Sequence, residues 1–264
     1  MTVFVGLDLA WTATRETGIC VIRGHGNGAE LVALETGVAS PTDFAEYVSS
    51  YGQDVAVAID APLVVTEERR AEADLGTMFG RFKAGAYSAK PAFLAKMGGE
   101  AGPNLAVAIA DRGFDLDPSA VSLPGRHAFE VYPHAAHVVF FDLRERLAYK
   151  KGTVVARREA MRAYQQRLHG LLRRLAPGVV GSAALEEVLA PEAVEVGGAE
   201  LKRLEDTLDA ITCASIAIHC AVAGRGGYEV FGCLAHGYIV VPGPLPTGGA
   251  ARACSTCAPA SPSP

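Results

Sequence analysis

Hydrophobic positions fall first into short runs and later into helical periods. Val3 to Leu9 is an apolar run interrupted by Asp8. Gly18 to Ile22 and Ala29 to Leu34 are further β-prone runs, and the glycine-rich turn Gly24–Gly28 between them predicts an antiparallel meander. Ser40-Pro41-Thr42-Asp43 has the form of a helix start. Phe44, Tyr47, Val48 and Tyr51 recur at helical spacing behind it, and Gly52 ends it. Asp54 to Asp60 encloses Val-Ala-Val-Ala-Ile without polar alternation, as expected of a central strand covered on both faces. The order so far is strand, strand, strand, helix, strand.

Thr66 to Phe82 predicts a polar helix capped by Thr66, with Glu67 and Glu68 in its first turn. Residues 83–101 read as irregular, and the segment Lys83–Gly102 as a substrate lid or a protein-contact loop. A helix over Pro103–Arg112 and a strand over His127–Tyr132 follow. Helices dominate from 134 to 223, the clearest being Glu200–Ala223. Short runs at Tyr228–Phe231 and Tyr238–Val241 close the fold. Residues 1–242 thus form one domain, and 243–264 a Pro/Ser-rich tail.

Composition bounds the function classes. With 264 residues, half of them hydrophobic, the chain can bury one sizeable core. No eighteen-residue apolar stretch predicts a membrane span. The first run lacks a basic flank and contains Asp8, so it reads as a strand rather than a secretory signal, and a cytoplasmic location is expected. Cys20, Cys213, Cys220 and Cys233 sit among apolar or small residues, as buried free cysteines do. Cys254 and Cys257 form a CxxC without the second ligand pair that a zinc site needs. The net charge of −5 argues against a generally basic nucleic-acid coat. The stretch Arg144–Arg174 is nevertheless densely basic, and reads as a phosphate-facing surface or a solvated helix face.

The acids carry the chemistry. Asp8 and Asp60 end apolar strands, where a carboxylate is costly unless it is paired, hydrogen-bonded or on a metal. If their strands are parallel neighbours, the two carboxylates meet at the sheet edge where ligands bind in open α/β sheets. Their repulsion then invites a divalent cation. Asp206 and Asp209, spaced i, i+3, project from one face of an apolar helix. Glu130 is a further acid, on HAFEVYP. Such hard oxygen ligands suit Mg²⁺ or Mn²⁺.

The motifs GLDLAW, AIDAPL, FEVYPHAA and EDTLDAITCA, in this order over residues 3–242, resemble the DUF429 family, regarded as predicted ribonuclease H-like nucleases. The resemblance implies an α/β, ribonuclease H-like fold: a mixed five-stranded sheet, order 3-2-1-4-5, flanked by helices. It implies a two-metal site of the resolvase type, with Asp8 from the first strand, Asp60 from the fourth, and Asp206 with Asp209 from the last helix. Glu130 belongs to an E-x-Y-P motif. Ribonuclease H proper takes its second acid from the helix after the third strand, where this chain offers only Asp43 and Glu46 near the start.

The expected activity is phosphodiester hydrolysis by a two-metal mechanism on DNA or RNA. Arg70, Lys83, Lys90 and Lys150 are candidates to position phosphates. His134 is a proton shuttle or a structural, hydrogen-bonded histidine. A phosphotransferase of related fold needs a glycine-rich loop after the first strand, whereas Ala10–Thr14 contains no glycine. A binding module using the acidic cleft for a metal or a cationic partner is the non-enzymatic alternative. Dinucleotide and nucleophile-elbow motifs are missing. Neither the substrate nor the oligomeric state is set by the sequence.

Overall fold

The computed structural model describes residues 1–12 and 15–246. The tail cysteines Cys254 and Cys257, and Ala13 and Thr14 after the first strand, lie outside the described residues. Strands β1 (Val3–Asp8), β2 (Thr17–Arg23) and β3 (Glu30–Gly37) form the meander, followed by helix α1 (Pro41–Ser49) and β4 (Val55–Ile59). Next come α2 (Ala71–Phe79), α3 (Pro91–Met97), α4 (Ala101–Ala110), β5 (Arg126–Glu130) and α5 (Pro133–Phe140). Helices α6 (Val154–Leu175), α7 (Ala183–Leu189) and α8 (Gly198–Ala223) lead to a separate hairpin, β6 (Tyr228–Cys233) and β7 (Gly237–Pro242).

The main sheet is mixed, with order β3-β2-β1-β4-β5; β2 is antiparallel to β1 and β3, while β1, β4 and β5 run parallel. This is the α/β architecture and strand order that the resemblance implies. Strand side chains alternate between faces. Val3, Val5, Leu7, Val55, Val57 and Ile59 pack with Phe44, Leu105 and Ile109 of α1 and α4 on one face. Phe4, Ala56, Ala58 and Phe129 pack with Leu208, Ile211 and Ala214 of α8 on the other.

Helix α8 lies very close to the sheet because β1 and β2 offer glycine beneath it. A Cβ at Gly6 would overlap the Ala210 carbonyl and Ala214 nitrogen, and one at Gly18 would overlap the Asp206 carbonyl. The helix is long and apolar enough to span a membrane by length and composition, yet 72% of its most apolar window is buried inside the fold.

Local chemistry explains where elements begin. Ser40 caps α1 in a capping box, its Oγ accepting from Asp43 N at 3.2 Å while Ser40 N donates to Asp43 Oδ2 at 3.0 Å. The helix expected from Thr66 starts only at Ala71: the Thr66 hydroxyl donates instead to His236 O at 3.1 Å, and Arg69 is drawn into the interior. The segment 83–101 expected to be irregular holds α3, started by Pro91 and stopped by Gly98 in a left-handed conformation (φ 66°). Cys20, Cys213 and Cys220 are free and buried. Cys233 departs from that expectation: it is disulfide-bonded.

Candidate metal centre

The period-2 rule decides which acids meet. Asp8 continues the face of Phe4 and Gly6, and Asp60 the face of Ala56 and Ala58, so both carboxylates turn toward α8. β1 and β4 are parallel and in register, Leu7 opposite Ile59, which puts both acids at the same C-terminal edge. The approach of α8 over Gly6 completes the group. One carboxylate oxygen from each of Asp8, Asp60 and Asp209 lies within 4.8 Å of the others.

Asp209 is fully buried and held from two sides. The Tyr149 hydroxyl donates to its Oδ1 at 2.7 Å, and the Tyr164 hydroxyl lies 3.0 Å from the same oxygen. Its Oδ2 pairs with the Lys150 ammonium at 2.6 Å but has no donor in hydrogen-bond geometry. Burial raises the Asp8 carboxyl well above its usual range, with Asp209 and Asp60 adding to that and Lys150 opposing it. Burial likewise pushes Asp60 up to about 7. At Asp209 burial works in the same direction, but the charges of Lys150 and His137 outweigh it and hold the carboxyl below its usual range. Three converging carboxylates, of which Asp8 and Asp60 resist ionisation, form a hard-oxygen donor set that fits Mg²⁺ or Mn²⁺.

Two expected members are placed elsewhere. Asp206 is buried one helical turn before Asp209, and its Oδ1 pairs with Lys202 at 2.5 Å. Glu130 shares the face of Ala128, opposite Phe129 and Val131, and therefore points away from Asp60. It is clamped by Arg69, with Nη1 donating to Oε2 at 3.1 Å and Nη2 to Oε1, and it accepts Leu63 N at 3.1 Å. Arg69 also donates to Glu72 Oε1 at 2.7 Å and Val64 O at 2.7 Å.

Among the basic candidates, Lys150 reaches the acids. Arg70 lies 3.9 Å from Asp74, and Lys83 pairs with Glu145 at 2.7 Å, both exposed. Lys90 takes the N-cap position of α3. Much of the basic stretch is spent on intramolecular clamps: Arg157 on Tyr149 O and Glu205, Arg158 and Arg162 on Glu195, Arg167 and Arg174 on the carbonyls of Phe141 and Phe140. His134 is buried among Tyr132, His137 and Tyr149 with its Nδ1 unpartnered, and burial, helped by Lys150, lowers its pKa well below the usual value.

Sequence reasoning missed Tyr149, Tyr164, His137 and Arg69. The first adjoins Lys150, but nothing in AYKKG says that its hydroxyl faces an acid 60 residues away. Neither the curated proteins nor the solved structures returned a match. The family model described as a protein of unknown function, DUF429, matches residues 6–231, with all three clustered acids, Asp8, Asp60 and Asp209, inside the match. The chain belongs to the DUF429 family.

Proposed function

We propose that the protein is a divalent-metal-dependent nuclease hydrolysing phosphodiester bonds. The observation that carries this reading is the convergence of Asp8, Asp60 and Asp209 from two parallel strand ends and one buried helix. These three would hold Mg²⁺ or Mn²⁺, while Asp206, one turn away, is paired with Lys202. When bound, the metal supplies activation of water and neutralisation of the developing phosphate charge.

The chain's own residues have defined tasks. Tyr149 and Tyr164 fix the Asp209 carboxylate by its Oδ1, leaving Oδ2 to the Lys150 ammonium. Lys150 balances the negative charge and offers an ammonium to an incoming phosphate. His134 is buried against the Tyr149 ring and helps to seat the hydroxyl that holds Asp209. The phosphotransferase alternative gains no support, because the residues after β1 lack a glycine-rich phosphate loop.

A panel of labelled single-stranded, duplex and branched DNA and RNA, incubated with Mg²⁺ or Mn²⁺ beside Asp8→Asn, tests the reading. Cleavage that needs the metal and vanishes in the variant is expected. Undiminished cleavage by Asp8→Asn, or none by the wild type on any member, overturns it.

A further inference from the structure

A cavity adjoins the acidic cluster. It opens beside Asp60, and its walls include Trp11, Tyr87, Tyr132 and Glu72, with Ala89 among its small residues. The cavity itself holds about 90 Å³ and is open at its mouth, room for a single planar ring rather than a whole ligand, since small-ligand clefts usually hold roughly 300–1,000 Å³.

Three separate elements hold the rings. Trp11 follows β1 and packs edge-on against Phe93 of α3, centroids 6.2 Å apart at 85°. Tyr132 follows β5, packs edge-on against His134, and donates its hydroxyl to Gly85 O at 3.2 Å. Tyr87 is 67% exposed, and its hydroxyl accepts from Lys151 Nζ at 2.5 Å. The buried Glu72 is fixed by Arg69, whose contacts fall on Oε1.

Flat π-faces, a carboxylate acceptor and a nearby ammonium make a poor site for a sugar phosphate alone, and a good one for a heteroaromatic ring attached to a phosphate. We propose that this cavity binds one nucleobase, unpaired and unstacked, of the nucleotide whose phosphate meets the acidic cluster. The aromatic rings supply stacking surface, which is sequence-tolerant because every base has a π-face. Glu72 accepts an N–H on the base edge that pairing would cover, and Lys151 offers charge to the backbone. A base inside a duplex has both faces and its pairing edge occupied, so the inference narrows the substrate to single strands, loops or flaps. It deepens the nuclease reading and rests on it for the position of the phosphate.

Trp11 is the chain's single tryptophan, so its fluorescence reports the cavity directly. The wild-type protein in excess chelator, where no metal-dependent turnover occurs, is titrated with AMP, with ribose 5-phosphate, and with one DNA sequence as single strand and as duplex. Saturable quenching by AMP but not by ribose 5-phosphate is expected, with the single strand binding about tenfold or more tighter than the duplex. Tyr87→Ala, a change at an exposed ring, should weaken AMP binding by about tenfold. No saturable quenching by AMP, equal quenching by ribose 5-phosphate, equal affinity for the duplex, or unchanged AMP binding by Tyr87→Ala each overturns the inference. Because binding is read without turnover, its failure leaves the cleavage assay standing, and failure of cleavage leaves the binding result standing.

Discussion

Glu130 at the end of β5, and the group that joins the ends of β1 and β4 to α8, lie at the same edge of the sheet, and the chain treats them in opposite ways. Glu130 receives a fitted countercharge: the Arg69 guanidinium spans its two oxygens, and Leu63 N supplies a further donor. The group of Asp8, Asp60 and Asp209 sets three carboxylates against the Lys150 ammonium, which touches Asp209 and whose side chain remains 30% exposed, with the charge of Lys202 further off. The first arrangement gives each Glu130 oxygen a donor within the chain, although Glu72 shares the guanidinium and burial still pushes the Glu130 carboxyl up to about 7. The second leaves negative charge in surplus, as a cation site does. Burial alone therefore does not mark a functional acid; incomplete internal compensation does.

The largest effect should come from breaking the satisfied region. Arg69→Met leaves Glu130 and Glu72 buried without their partner, which should cost about 3–5 kcal/mol. Denaturant unfolding should show this loss equally with Mg²⁺ and with chelator. A loss that Mg²⁺ restores would assign Glu130 to the metal centre and dissolve the contrast.

A smaller effect is expected from separating the helix from the strands. Gly6→Ala pushes a methyl group into the Ala210 carbonyl, an overpacking cost of about 1–3 kcal/mol. Because α8 carries Asp209 but not Glu130, the variant should also lose most of the stabilisation that Mg²⁺ gives, while the Arg69 clamp remains intact. Melting temperatures with and without Mg²⁺ separate the two effects; a Mg²⁺ increment equal to that of the wild type would show that α8 height does not set the site.

The smallest effect concerns the under-compensated region. Lys150→Met removes the ammonium from three carboxylates and should destabilise the metal-free protein by about 1 kcal/mol, less than a fully buried pair because Lys150 is partly exposed. Saturating Mg²⁺ should restore wild-type stability, since a ligand that binds only the folded state stabilises it by mass action. A loss of the same size in Mg²⁺ would make Lys150 a structural partner of Asp209 and nothing more.

The legible part of the site follows from short-range pattern. Asp8 and Asp60 were visible because each ends an apolar strand, and Asp209 because a carboxylate interrupts a helix otherwise apolar enough to be buried. Asp206 looked equivalent to Asp209 by spacing, but one turn along the helix places it beside Lys202. Glu130 looked like a further ligand until the register of β5 against β4, Glu130 opposite Ile59, put it on the far face. A shift of one residue reverses a strand's faces, and no local signal in HAFEVYP fixes that register.

By itself the sequence determined the order of the strands, those covered on both faces, the α1 cap and the set of acids from which a site could be built, but not helix α3. These depend on period, capping and turn chemistry, which act over a few residues. Only the tertiary structure decided which acids meet, which cation answers each, and how the basic stretch is used. Most of those outcomes depend on contacts between residues distant in sequence, from Arg167 with Phe141, 26 positions apart, to Tyr149 with Asp209 and Arg69 with Glu130, 60 and 61 apart. They depend also on two glycines, Gly6 and Gly18, whose missing side chains let α8 lie against the sheet.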